Sequence, residues 1–416
     1  MMDEKNKKIT IRGGLWNTAS GMINAGQSAV ILIFISACMG IEAAGVFSIA
    51  YAVANLLMTV AKYGIRNYQV TDVAEKYTFQ EYLVMRMVTV TGTFIFLLFY
   101  LWYKCQFGGY SLEKAVVVCL IVVWKFIDAM EDVYYGMYQQ RGRLDIGAKA
   151  YTIRLLFSTL VYCVLIVAGC AMSTATGIML LLSVVCACAV IRHSISNFAI
   201  ADMKVTPKNV LRLLYEGLPL CIGTSLSIYI GNLPKYLIDS YMDEKVQAYF
   251  GFIMMPAFVI VVLNNFIYQP IIRGLAEFWE NGQKKQFKRR ILKQYMIVLG
   301  LTGIVVVAGA FLGIPVLSFL YSVDLSAYKL EFIILLMGGG LYALASFIMV
   351  PITIIRFQKC IAIGFVLASA VSLLLGRYLV IHYGIFGASV LYLFINAFIA
   401  VYLTICLIGK MNLRRV

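Results

Sequence analysis

Charge is the first thing this sequence lacks. Only 13% of its 416 residues are Asp, Glu, Lys or Arg, against roughly 25% in a soluble domain, while 62% are hydrophobic and the mean hydropathy is +0.87. Such a chain cannot present a water-facing surface along its length, which excludes an ordinary soluble enzyme and implies an integral membrane protein. Histidine is nearly missing: His193 and His382 leave little material for imidazole catalysis or a metal centre. The ten cysteines are scattered through apolar runs, and the one close pair, Cys186 and Cys188, has no second pair or histidine to complete a metal set. They read as small buried hydrophobes, and no cofactor is expected. Long polar segments are absent too. With no connection large enough for a soluble domain, a membrane glycosyltransferase or polymerase that needs a sizeable external loop is disfavoured. The net charge of +15 would suit nucleic acid if it lay on one face, but it is dispersed over short connections, so no nucleic-acid partner is expected.

What remains is a series of apolar runs of membrane-spanning length. Twelve are expected, near residues 15–39, 44–63, 82–103, 115–138, 150–171, 177–198, 215–238, 248–271, 291–312, 329–350, 360–381 and 386–408. With the N-terminus inside, the connections on that side hold 28 of the 35 Lys and Arg residues, which fixes both termini in the cytoplasm. The polar, basic start followed by about 25 mostly apolar residues is too long for a signal-peptide core, so an uncleaved first helix is expected. The connection from His193 to Glu216 is the longest on the cytoplasmic side. Its Pro207, Leu211 and Leu214, with Lys204, Lys208 and Arg212, suggest a short interfacial helix.

The fold expected is therefore all-α, with two six-helix lobes at 1–198 and 215–416 joined by a linker at 199–214. GLWNTASG at Gly14 is echoed by GLPLCIGT at Gly217, and MGIEAAGVFSIA at Met39 by MDEKVQAYFGFI at Met242, as in the parallel repeats of transporters with a substrate cavity between lobes.

One run breaks the apolar rule. Between Val116 and Gln140, Lys125, Asp128, Glu131 and Asp132 fall within eight residues; Lys125, Asp128, Asp132, Tyr135 and Gln139 form one stripe, with Glu131 on its flank. A charge at mid-membrane costs about 2.5–3.5 kcal/mol on insertion scales, so these side chains must face protein or water. They line a polar path or tie helices together. Three acids against one lysine look more like a coupling or gating element than a phosphate clamp.

Narrower polar stripes recur elsewhere. The first helix carries Asn24 and Gln27, the second Tyr51, Asn55 and Lys62, the seventh Tyr229, Asn232, Tyr236 and Asp239 beside Lys235, and the eighth ends with Asn264, Tyr268 and Gln269. Interhelical hydrogen bonding accounts for any one of them. Together, amides, hydroxyls and aromatic faces suit a sugar. Lys62, Arg66, Lys125, Arg154 and Lys235 are candidate anion contacts, arginine being able to grip a pyrophosphate in bidentate fashion. The simpler reading is positive-inside anchoring for Lys62, Arg66 and Arg154, and neutralisation of Lys125 by Asp128 and of Lys235 by Asp239.

The segments GLWNTASGMINAGQSAVILIFIS, YGIRNYQVTDVAEKYTFQEYLVMR, DVYYGMYQQRGRLDIGAKAYTIR and NLPKYLIDSYM resemble the polysaccharide, or Wzx-type, flippases of the multidrug/oligosaccharidyl-lipid/polysaccharide (MOP) transporter superfamily. The resemblance implies an alternating-access transporter that moves an undecaprenyl-pyrophosphate-linked oligosaccharide between leaflets of the bacterial cytoplasmic membrane, with a polysaccharide polymerase complex as a possible partner. It points to Asp128, Asp132, Tyr135, Gln139, Gly142, Asp145 and Arg154 in the first lobe, and to Pro234, Lys235, Tyr236 and Asp239 in the second. The alternatives are a multidrug or metabolite exporter of the same superfamily, coupled to protons or sodium through Asp128, Glu131 or Asp132, and a membrane glycosyltransferase or polymerase.

Overall fold

Segments that cross a bilayer must satisfy their backbone polar groups internally, so helices are the dictated element. The computed structural model describes residues 4–72, 76–195, 205–268 and 271–413, and among them all regular structure is helical. The chain divides into two compact units, Met1–Ile228 and Tyr229–Val416.

The first unit holds α1 (Glu4–Met39), α2 (Ile41–Lys62), α3 (Ile65–Thr71), α4 (Phe79–Phe107), α5 (Leu112–Gln140), α6 (Leu144–Val167), α7 (Met172–Ile195) and the greater part of α8 (Pro207–Tyr241). Local chemistry sets their starts. Thr78 and Glu81 form a reciprocal capping box at α4, and Ser111 caps α5 by accepting the Lys114 N–H at 3.1 Å. α5 is the hub: it packs on α2, α3, α4, α6 and α7, while α1 lies along α6. That placement buries its polar stripe along with its apolar residues.

The start of α8 is tied to α3, to α4 and to the stretch between them. Buried Glu81 accepts from Asn209 Nδ2 at 2.8 Å and from the Thr206 N–H at 3.2 Å. Glu216 accepts from the Tyr68 hydroxyl at 2.5 Å, the Tyr77 hydroxyl at 3.1 Å, Lys76 Nζ at 3.2 Å and Arg212 Nε at 2.9 Å. The bond to Glu216 raises the Tyr68 phenol above its usual pKa, so Tyr68 remains a donor at neutral pH. The separate interfacial helix expected after Pro207 is instead the opening of α8, which continues past Gly217 and Pro219 to Tyr241; the remainder of the expected linker, 196–204, lies outside the described residues.

The second unit continues with α9 (Glu244–Tyr268), α10 (Ile272–Glu280), α11 (Lys284–Ala308), a π-helical turn at Gly309–Gly313, α12 (Ile314–Tyr321), α13 (Lys329–Ile354) and α14 (Lys359–Leu413). Here α13 is the hub, packing on α9, α11 and α14. Its glycines permit this: a Cβ on Gly339 would lie 2.7 Å from the carbonyl oxygen of Ala257 on α9. α14 is 55 residues long, but Gly384 takes φ 56°, ψ −133°, a left-handed break that L side chains resist.

Ten helices among the described residues are long and apolar enough to cross a membrane, where twelve spans are expected from sequence. Two features account for the difference. α5 has the length, but its mid-helix charges remove it from any count based on apolarity. The last two expected runs are one continuous helix broken only at Gly384. Helices also outrun the expected spans, α4 by three residues at its start, because caps extend a helix beyond its apolar stretch.

Candidate functional site

The polar residues of α5 meet their partners inside the first unit. Lys125, Asp128, Glu131 and Asp132 are each at most 5% exposed. Lys125 Nζ donates to Gln27 Oε1 on α1 at 3.0 Å and to Asp128 Oδ2 at 3.3 Å, and lies 4.8 Å from the ring centroid of Tyr51 on α2. Tyr51 donates its hydroxyl to the same Gln27 oxygen at 3.3 Å, and Gln27 Nε2 donates to Thr159 Oγ1 on α6 at 2.8 Å. One lysine thereby joins α1, α2, α5 and α6.

One turn further along α5, Arg154 of α6 donates Nη2 to Asp128 Oδ1 and lies 2.8 Å from Glu131 Oε2, an ion pair without hydrogen-bond alignment. Its guanidinium covers the Tyr151 ring at 5.3 Å, and the Tyr151 hydroxyl donates to Asn24 Oδ1 at 3.2 Å. Asp132 is held from two sides, by Arg86 of α4 at 3.1 Å and by Arg66 of α3 at 3.4 Å; Arg66 also donates to Gln139 Oε1 at 3.1 Å. Arg86 donates further to the Ala61 carbonyl at 2.6 Å.

Three carboxylates therefore face four cations. The acidic imbalance expected from α5 alone is corrected, because the compensating arginines come from α3, α4 and α6. Breaking such a pair is costly, since it strands a charge away from water. The set is also incomplete: Arg154 Nε and Nη1 and Arg86 Nε, all buried, have no acceptor among the described residues. A buried donor left unmade costs about 1–3 kcal/mol, which an incoming anion would recover. Asn55 and Lys62 are half-buried on α2, within one turn and three turns of Tyr51.

The model of the family described as "Polysaccharide biosynthesis protein" matches residues 10–273, well over half of the chain. The chain belongs to that family. No curated protein matches it. Among solved structures, it is similar to the lipid II flippase MurJ in an inward closed conformation, with a TM-score of 0.74 and 16% identity over 97% of this chain and 90% of that one. It is similar to a MOP superfamily transporter from Pyrococcus furiosus, TM-score 0.63 and 15% identity over 99% and 97%. An outward-facing multidrug resistance MATE family transporter also matches, TM-score 0.63 and 14% identity over 98% and 96%. At these identities the likeness is one of fold, and the fold is that of the MOP superfamily. The family member described here is a multi-pass membrane protein.

The family match contains the whole polar centre of the first unit and reaches α10 in the second. Other residues that the flippase resemblance singles out have local roles: Tyr135 packs its ring 5.8 Å from Tyr151, Gly142 takes the left-handed turn after α5 at φ 73°, and Asp145 pairs with Arg143 at 2.9 Å. In the second unit Tyr229 stacks on Tyr236 at 5.7 Å, and Asn232, Lys235 and Asp239 are buried. The expected neutralisation of Lys235 by Asp239 is not seen: among the described residues Lys235 has no carboxylate partner, and its ammonium lies 5.9 Å from the centroid of the Phe258 ring. Asn264, 0% exposed, donates to the Ala343 carbonyl at 2.9 Å and accepts from Gln294 at 3.5 Å, so it ties helices together. Gln269 lies outside the described residues.

Sequence reasoning passed over Arg86, Thr159, Glu81 and Glu216. Arg86 carried a usable signal, since it stands inside an apolar run as Lys125 does. For the others, a single polar residue on a helix gives no hint of a distant partner.

Proposed function

We propose that this chain is a flippase for a polyprenyl-pyrophosphate-linked oligosaccharide, undecaprenyl being the carrier, in the bacterial cytoplasmic membrane. It crosses the bilayer twelve times, keeps both termini in the cytoplasm and works by alternating access as a transporter and not an enzyme. The observation that carries this reading is the buried polar centre of the first unit. Its four cations, with unmet N–H groups on Arg154 and Arg86, are the chemistry a pyrophosphate needs to replace its hydration, and Gln27, Asn24, Tyr51 and Tyr151 beside them offer neutral donors and acceptors for sugar. Coupling to a proton or sodium gradient falls to the carboxylates of α5, and a polymerase is the partner on the receiving side. Family membership supports the polysaccharide context.

The test is flipping of a polyprenyl-pyrophosphate oligosaccharide in proteoliposomes, read by lectin access to the outer leaflet, with wild type, Arg154→Gln and Arg154→Lys. Wild type should flip, Gln should lose at least about tenfold in rate and Lys should retain part, because a point charge cannot reproduce the guanidinium fork. No flipping by wild type, together with drug efflux from cells expressing it, would establish the exporter alternative instead.

A further inference from the structure

A second cationic site stands in the second unit, on helices other than those of the centre around α5. α10 and the start of α11 form a hairpin between two candidate spans, turning at Gly282 with φ 69°. The helical span that begins at Lys284 is 38 residues, longer than a bilayer core of ~30 Å requires at ~1.5 Å per residue, so its basic opening KKQFKRRILK extends beyond the hydrocarbon. Trp279 and Phe287 close the hairpin at 5.1 Å, and Leu275 and Phe287 are fully buried beneath it.

Between these helices lies a cavity of about 530 Å³. Gln286, Arg289, Arg290 and Lys293 form one wall, and Ile271, Gly274 and Phe278 the other. The first four follow i, i+3, i+4, i+7, one face of α11, while Phe287, Ile291 and Gln294 on the adjoining face are buried. Like charges three and four residues apart repel, and among the described residues none of these three cations has a carboxylate partner. From 271 to 293 there are seven basic residues and two acidic ones, Glu277 and Glu280. The opening is apolar on one side and cationic on the other, at a membrane edge, with a tryptophan of the kind that sits at headgroup level.

We propose that this cavity binds the phosphate-bearing headgroup of a lipid. Two guanidinium forks and an ammonium match phosphate oxygens, and Ile271 and Phe278 cover the first carbons of the lipid body. The same chemistry is offered by an anionic phospholipid and by a polyprenyl pyrophosphate. The site does not depend on the flippase reading, and its test uses no transport.

Full-length protein in nanodiscs of phosphatidylcholine alone, with phosphatidylglycerol, or with undecaprenyl pyrophosphate is to be melted and analysed for retained lipid, with inorganic phosphate as a further arm. Wild type should be stabilised by one or both anionic lipids and not by inorganic phosphate. R289Q/R290Q/K293Q should lower retention by about tenfold. Gly274→Leu should do the same without changing charge: a Cβ there meets nothing within 4 Å, so the larger side chain fills the cavity and leaves the helix sound. K284Q/K285Q/K288Q removes equal charge outside the cavity and should keep the wild-type response. The proposal fails if that control loses as much as R289Q/R290Q/K293Q, if Gly274→Leu responds like wild type, or if inorganic phosphate stabilises as well as lipid. Stabilisation by phosphatidylglycerol alone assigns a bilayer lipid, and by undecaprenyl pyrophosphate alone the carrier.

Discussion

Asp128 accepts Arg154 on one carboxylate oxygen and Lys125 on the other, so removing either cation leaves a carboxylate that is 3% exposed with a single partner. Arg154→Gln leaves Glu131 without its ion-pair partner and is expected to cost about 3–5 kcal/mol of stability, against about 1 kcal/mol or less for Arg66→Gln, whose side chain is 31% exposed. Thermal unfolding of the detergent-purified variants reads the difference. Asp128→Asn combined with Arg154→Gln should be less destabilised than the sum of the single changes, since the two residues share one ion pair that either change already breaks. At this scale the sequence was legible in part. Charges inside an apolar run announce a polar centre, and the local pair of Lys125 with Asp128 at i+3 follows from helix geometry. The pairing of Asp132 with Arg66 and Arg86 does not, because those partners lie on other helices and only the packing of α3 and α4 against α5 brings them in.

At the level of elements, helices pack as closely as their smallest residues permit. Gly339→Ala places a methyl against the backbone of Ala257, which cannot move aside as a flexible side chain would, and should destabilise by about 1–3 kcal/mol. Gly14→Ala, which meets nothing within 4 Å, should be neutral or slightly stabilising in the same melt. Glu216→Gln weakens the four-donor acceptor that ties the start of α8 to Tyr68, Lys76 and Tyr77; faster amide exchange across α3 and the first turn of α4, with the rest of the unit unchanged, is the expected outcome. Unchanged exchange there would mean that Glu81, through Asn209 and Thr206, suffices alone. Elements were the most legible level of the fold, since runs of apolar residues locate spans directly. Helix ends were less so, being set by Thr78, Ser111 and the continuation of α8 past Pro219 and not by apolarity.

For the molecule as a whole, the charges of α5 bear on how the chain is made. Lys125 stands at the middle of α5, and Asp128, Glu131 and Asp132 follow within two turns. During synthesis Arg66 and Arg86 precede these residues, but Arg154, which answers Asp128 and Glu131, emerges only with α6. With mid-helix charges at about 2.5–3.5 kcal/mol each, α5 should not partition into lipid alone. The three-residue turn through Gly142 makes α5 and α6 a hairpin, and the two should enter together. In a glycosylation-site insertion reporter, α5 by itself should insert poorly, α5 with α6 efficiently, and the pair carrying Arg154→Gln poorly again. Efficient insertion of isolated α5 would disprove this order. On that outcome the arginine of the polar centre would double as a checkpoint in biogenesis, with membrane entry of one helix waiting on translation of the next.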